Sequence, residues 1–473
     1  MKCVVNVMKL QKIIGLLFVI GMLLSSFQSV LAETEDKPNQ YYYILVDRYQ
    51  NSEDEGASEL ESRESFMGGD FQGISERLDH LETIGVTHLV LSPVFSSEDY
   101  LGNEVKSFDE VQETYGSKED LQNLVEAAHE RDMKLILEFP HSQVSESSAL
   151  QEEEWVEDGD IELTEEAQSF LIEKMNQWKD ELNSDGFYFK SIEQAPDEFW
   201  SKVSNEVGDQ FLIGEPGESS DKNFIDMGFD RILNTSFQQK AEEIFKDTDT
   251  DFSPLLDSPT FEETDVVQYM DHIYTDRFTR ASEDTGYHPI TRWKLALTYL
   301  YTTPNEPWLF HGTEVPTDGI VEDGSHHKMV NYMANDDQLS QHVEKLSDSL
   351  EEFEPLRTGD IEILHEQEGF IVYSRSTEDE TVYIAINNTP TFQSYDIEGI
   401  ESDKELRGIT DNDLIKENDD GTYSIGLNRE LANVYTVHEN RGIYWPLTLL
   451  FVGGMGTFIA FVIIVSRRNK KTE

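Results

Sequence analysis

The sequence predicts an α/β fold: a (β/α)8 barrel, then a small antiparallel β-sandwich, then a C-terminal transmembrane helix. Three observations carry this reading. β-rich runs alternate with helical patterns from Tyr41 onward, the order that gives parallel strands wrapped by helices. From Gly359 to Val437 strand patterns follow one another with only turns between them. Finally, Ile443–Val465 is an uncharged apolar run of the length a bilayer demands.

The barrel elements follow in order. Tyr41–Val46 is a continuous apolar run, as a strand covered on both faces should be. Ile74–Ile84 places apolar residues at helical spacing and Gly85 ends it. Thr87–Leu91 is the next strand, Leu121–Ala128 a helix, Lys134–Phe139 a strand. Phe170–Leu182 is helical, and Gly186–Phe189 and Phe211–Gly214 are strands. This many units favours a closed barrel over an open sheet. The sandwich strands are read from IEILHEQ, GFIVYSR, TVYIAIN, YSIGL and ANVYTV.

The two ends read differently. Lys2, Lys9 and Lys12 precede the short apolar core Ile13–Leu24, and Val30-Leu31-Ala32 offers a cleavage site, so residues 1–32 read as a signal peptide. At the other end Tyr444 and Trp445 stand where an aromatic belt belongs, and Arg467, Arg468, Lys470 and Lys471 follow the apolar run. The expected layout is a barrel over 33–354, a sandwich over 355–440, a span over 443–465 and a basic cytoplasmic tail over 466–473. That places the chain in the cell membrane as a single-pass protein with its bulk outside.

Composition sets further bounds. Lys and Arg number 36 against 95 Asp and Glu, a net charge of −59. Such a surface excludes nucleic acid, whose binding needs basic groups, and argues against docking on an anionic membrane face. Cys3 is the only cysteine and falls in the signal segment, so no disulfide is expected in the exported part.

Several strings, in order and spacing, resemble the α-amylase family, glycoside hydrolase family 13. Tyr42–Tyr49 (YYILVDRY) looks like its first strand, and Met67–Ile74 with LDHLETIGVTHLVLSPVF like its second segment. Phe108–Gly116 and Lys134–Phe139 lead into its first conserved region; Ser184–Phe187 opens the second, Phe211–Glu215 the third, Gln268–Asp271 the fourth. Arg292–Gly312 matches its late helix and last strand, and Leu356–Asp360 opens its C-terminal domain. The resemblance spans roughly residues 40–437. It implies a TIM-type barrel, a loop insertion after the third strand (here a short one, about 141–163) and α-glucan chemistry.

The resemblance also locates the reaction, and there the chain departs from it. Retaining glycosidases place an acid and a nucleophilic carboxylate across the scissile bond. Glu215 matches the family's general acid. Lys190 stands where the nucleophile belongs and Tyr188 replaces the arginine beside it. Tyr274 replaces the carboxylate that steadies the transition state, after Ile273 in place of a histidine. Glu138-Phe139-Pro140-His141-Ser142 lacks the Asn-His ending of the first region, so the family's calcium site is not identifiable, and no metal or cofactor is expected. Glu193 and Asp271 are candidates for a relocated nucleophile. Tyr188, Tyr274 and Tyr100 are candidate sugar-binding residues. Lys190 and Glu215 are expected to form an ion pair or share a water across the old site.

The leading expectation is therefore a membrane-anchored, extracellular pseudoenzyme that binds a glycan or a membrane or surface protein. The alternative is an active α-glucan hydrolase or transferase with atypical residues. A further alternative is a structural or regulatory subunit of a surface assembly.

Overall fold

The computed structural model describes residues 37–52, 65–217, 223–322, 324–332, 337–440 and 445–469. Two units separate, Met1–Pro38 and Asn39–Glu473; the second holds everything described below. The expected signal peptide, residues 1–32, lies outside the described residues.

Eight parallel strands close the barrel: β1 (Tyr41–Ile44), β2 (His88–Leu91), β3 (Lys134–Glu138), β4 (Gly186–Lys190), β5 (Phe211–Glu215), β6 (Arg231–Leu233), β7 (Val266–Tyr269) and β8 (Glu306–Phe310). Each pairs with its neighbours in sequence, and β8 closes on β1 with Tyr42 opposite Leu309. The interior is aromatic. Tyr43 stacks on Trp308 at 5.8 Å and meets Tyr188 edge-on at 6.0 Å, so the barrel is filled by rings rather than open.

The outer helices include α1 (Lys118–His129), α2 (Glu165–Leu182), α3 (Asp197–Val207), α4 (Thr235–Phe245), α5 (Pro289–Thr302) and α6 (Gln338–Glu352). The start of α1 is fixed by a reciprocal capping box between Ser117 and Asp120. Asn183 ends α2 in the left-handed region, φ 55°. Two local departures from the sequence pattern stand out. The helix expected over Ile74–Ile84 is broken into Phe71–Ser75 and Leu78–Thr83. Between β5 and β6 the described residues hold only a 3-10 turn, Ile225–Met227. The segment after β3 folds as a 3-10 turn, Ala149–Glu152, and a hairpin of Val156–Glu157 with Asp160–Ile161. Trp155 is buried there against Phe170.

The C-terminal part holds β9 (Asp360–Gln367), β10 (Phe370–Ser376), β11 (Thr381–Asn387), β12 (Gln393–Ile397), β13 (Lys404–Gly408), β14 (Leu414–Lys416), β15 (Tyr423–Leu427) and β16 (Leu431–Glu439). One antiparallel sheet runs β9-β10-β11-β16-β13-β14 and a second pairs β12 with β15. Phe370, Val372, Leu406, Tyr423 and Ile425 form the core between them.

One expectation is corrected here. A helix, α7 (Trp445–Asn469), does form in the C-terminal apolar stretch. Yet among the described residues no helix is long and apolar enough to cross a membrane. The transmembrane helix over 443–465 falls with this finding, and so does the single-pass placement in the cell membrane with an outside bulk and a cytoplasmic tail. The membrane partner inferred from that placement is left without support.

Barrel and C-terminal sheets are joined by buried polar contacts. Arg292 of α5, fully buried, donates to the carbonyls of Phe245 (2.6 Å) and Asp247 (2.8 Å) and to the Asn388 side chain, with Glu430 at 3.5 Å. Asn388 in turn donates to the Ile244 carbonyl at 2.9 Å. Removing one end of such a network strands several buried groups. Arg292→Met should lower the unfolding free energy by about 3 kcal/mol or more, read as a lower urea midpoint; a shift under about 0.5 kcal/mol, the range of ordinary surface changes, would refute the role.

Candidate functional site

The strands deliver their last residues to one end of the barrel, the end where (β/α)8 enzymes carry their sites. Glu138 ends β3, Lys190 ends β4 and Glu215 ends β5, with the Met270–Thr275 loop following β7. Lys190 and Glu215 are register partners across β4 and β5.

Lys190 nevertheless does not pair with Glu215. Its ammonium lies 2.6 Å from Glu138 Oε1 and donates to the Tyr274 hydroxyl at 2.7 Å. Glu138 is buried and accepts a second bond from Tyr43 Oη at 2.6 Å. Burial works against the Lys190 charge, but Glu138 and Tyr274 more than offset it and hold the ammonium well above its usual range. The expected Lys190–Glu215 pair is thus corrected. The register sets the two Cα atoms side by side, while the long lysine arm reaches the better-buried carboxylate.

Glu215 has a different set of partners. Tyr188 donates a short hydrogen bond to Oε2, and His272 Nε2 stands 3.3 Å from Oε1. His272 Nδ1 accepts from the Tyr274 backbone N–H at 3.4 Å, which leaves the ring proton on Nε2. Burial pushes the Glu215 carboxyl up, but His272, Tyr188 and the Lys190 charge outweigh it and hold it below the ordinary carboxylate range. Glu215 therefore rests ionised at neutral pH.

The candidate sugar-binding tyrosines sit in three different environments. Tyr188 is fully buried against Tyr43 and Trp308. Its ring faces cannot meet a sugar, and its reach into the site is the hydroxyl on Glu215. Tyr100 is half-buried, with the Arg48 guanidinium 3.7 Å over its ring and its hydroxyl 3.0 Å from His327 Nδ1. Tyr274 is 49% exposed and is the aromatic ring offered to solvent at the mouth. Its ring lies over the Lys190 ammonium at 4.7 Å and 5.7 Å from His272.

The relocated-nucleophile candidates are engaged elsewhere. Asp271 is buried, accepting from the Phe278 N–H at 2.7 Å and from Arg277 at 3.3 Å. Glu193 accepts from the Gly217 N–H at 2.7 Å. His141 is a core residue, buried 5.1 Å from Trp200, where burial alone lowers its imidazole to about 4. Sequence reasoning missed three members of the site: Glu138 as the lysine's partner, Tyr43 behind it, and His272 on Glu215. The signal was present for one of them, since KLILE and GFYFK end adjacent strands in opposite charges.

Comparison with known proteins agrees with this fold. Residues 43–202 match the α-amylase catalytic domain and residues 359–435 the α-amylase C-terminal domain. The maltogenic α-amylase of Bacillus acidopullulyticus is 22% identical over 423 residues, covering 76% of this chain and 71% of that protein. The crystal structure of an Anoxybacillus α-amylase matches with a TM-score of 0.80 at 30% identity, covering 86% of this chain and 99% of that one. The α-amylase of Geobacillus thermoleovorans complexed with acarbose gives 0.77 at 28%, covering 85% and 98%.

The partner assignment can be tested by stability. Lys190→Met leaves Glu138 buried and unpaired and should cost about 3–5 kcal/mol. Glu215→Gln keeps the Tyr188 bond and should cost about 1 kcal/mol or less. Lys190→Met with Glu138→Gln should recover most of the loss. Urea unfolding giving the opposite ranking would restore the Lys190–Glu215 pair. The fold raises the lysine above its unfolded value of about 10.4, so this stabilisation is complete below about pH 10 and drains away as the pH rises beyond it.

Proposed function

The chain belongs to the α-amylase family, and from that premise we propose that it acts on α-linked glucans as a hydrolase or transferase with atypical site residues. The observation that carries this is Glu215. It keeps the family's acid–base position at the end of β5, buried and ionised, with Tyr188 and His272 holding its two oxygens. A carboxyl so placed gives its proton to the leaving oxygen and then takes one from the incoming group, the general acid–base role, and the protonated fraction of Glu215 starts the cycle. The substrate class follows from the relatives, one a maltogenic amylase and another solved with acarbose.

A second reading, glycan binding without turnover, is favoured by the Lys190–Glu138 pair, which puts a cation where the family has its nucleophile. Amines cannot replace a carboxylate there, and a bare ammonium would oppose positive charge developing on the sugar.

One experiment separates the two. The chain, incubated with maltooligosaccharides and cyclodextrins, should release reducing ends, and Glu215→Gln should lower that rate by about 10²–10⁴-fold. Absence of release, together with calorimetric binding of acarbose, would establish the binding reading instead. Release that Glu215→Gln leaves unchanged would remove Glu215 from the reaction.

A further inference from the structure

We infer that Tyr274 is the nucleophile of this site, acting through its phenolic oxygen with Lys190 as its counter-ion; this rests on the hydrolase reading above. Its hydroxyl lies 2.7 Å from the ammonium that occupies the nucleophile's strand position, and half of the residue remains open to the mouth. Tyrosine is a workable glycosidase nucleophile, as sialidases use it.

Charge supports the assignment. A family nucleophile brings one negative charge to the sugar's reacting carbon. Once Tyr274 gives up its proton in the step below, its oxygen, the Lys190 ammonium and the Glu138 carboxylate also sum to one negative charge.

Position supports it too. An exposed side chain is ordinarily mobile, but the loop beneath this one is clamped. Ile273 is fully buried, and its carbonyl meets Nε2 of both His326 (3.1 Å) and His327. The Asp271 carboxylate is held by Arg277 and the Phe278 N–H. The Tyr274 N–H is itself bonded to His272. A phenol fixed from both sides is preorganised for attack.

The step balances within the named groups. The Tyr274 hydroxyl proton passes through solvent to the Glu215 carboxylate. The Oη lone pair forms a bond to the anomeric carbon, the glycosidic C–O bond breaks, and its electron pair leaves on the departing oxygen, which takes the proton from Glu215. Water then gives a proton to Glu215 as its oxygen bonds the same carbon. The C–Oη bond breaks, and its pair returns to the phenolate beside Lys190, which regains the proton from Glu215. Two displacements leave the anomeric configuration retained.

The test uses the full chain, a 5-fluoro-α-maltosyl fluoride probe and maltopentaose. Mass spectrometry should find the fluorosugar on Tyr274, and NMR should see the α-anomer released first. Tyr274→Phe should abolish the adduct and lower kcat by at least about 10³-fold, with circular dichroism showing that the variant is folded. Turnover giving the β-anomer first, an adduct on another residue, or a Tyr274→Phe rate close to the parent's would overturn the nucleophile and leave the hydrolase reading standing. Neither turnover nor adduct in the parent would overturn both.

Discussion

The mouth of this barrel is organised by one buried ion pair, Lys190 with Glu138. A lysine placed among aromatic walls cannot stay charged without a partner, because desolvation of a lone ammonium costs several kcal/mol. Glu138 supplies the partner, and Tyr43 supplies the hydrogen bond that its second oxygen needs. Once that pair is set, the remaining lysine donor is directed outward, and the Tyr274 hydroxyl receives it. The positions of three side chains at the mouth therefore follow from the single requirement that one cation be neutralised.

Tyrosine recurs in this role through the barrel. Consecutive residues of β1 each serve a different glutamate: Tyr41 donates to Glu306 at 2.7 Å, Tyr42 to Glu314 at 2.8 Å and Tyr43 to Glu138. Tyr188 does the same for Glu215. A buried carboxylate demands donors, and a phenol brings one on a rigid ring that also fills space. Burial in turn holds the Tyr43 and Tyr188 hydroxyls well above their usual range, with the adjacent carboxylates adding to it, so they remain donors. The apolar-looking run YYYI is thus both wall and hydrogen-bond array, and alternate residues work on opposite faces of the strand.

The sequence made much of the barrel legible because its strands are short runs of uniform burial. Tyr41–Ile44, His88–Leu91 and Phe187–Phe189 are buried at every position, and such runs stand out between helices. β6 did not stand out: it has three residues, two of them only half-buried, and no helix precedes it among the described residues. β12 and β14 were equally hidden, since their exposed and half-buried residues mix Gln, Ser, Asp and Lys into the pattern. In the site, the positions of Lys190, Glu215 and Tyr274 could be read from the resemblance to the α-amylase family. Their partners could not, because side-chain reach decides them. The family's facing nucleophile and acid positions pointed Lys190 at Glu215, and a four-carbon arm carried its charge to the neighbouring strand on the other side instead.

That choice of partner bears on what Glu215 is for. Had Lys190 leaned on Glu215, the retained carboxylate would be explained by the lysine's need, and its position would say nothing about chemistry. Glu138 meets that need instead. Glu215 is left as a buried carboxylate whose own desolvation must be offset by Tyr188 and His272. A carboxylate that costs the fold solvation and neutralises no structural cation is expensive to keep. A glutamine or an apolar residue would serve a purely structural barrel better, since replacing buried ionic groups by well-packed neutral ones is often neutral or stabilising. On the function proposed above, a buried carboxylate with Tyr188 and His272 beside its two oxygens is the arrangement a proton-transfer group requires.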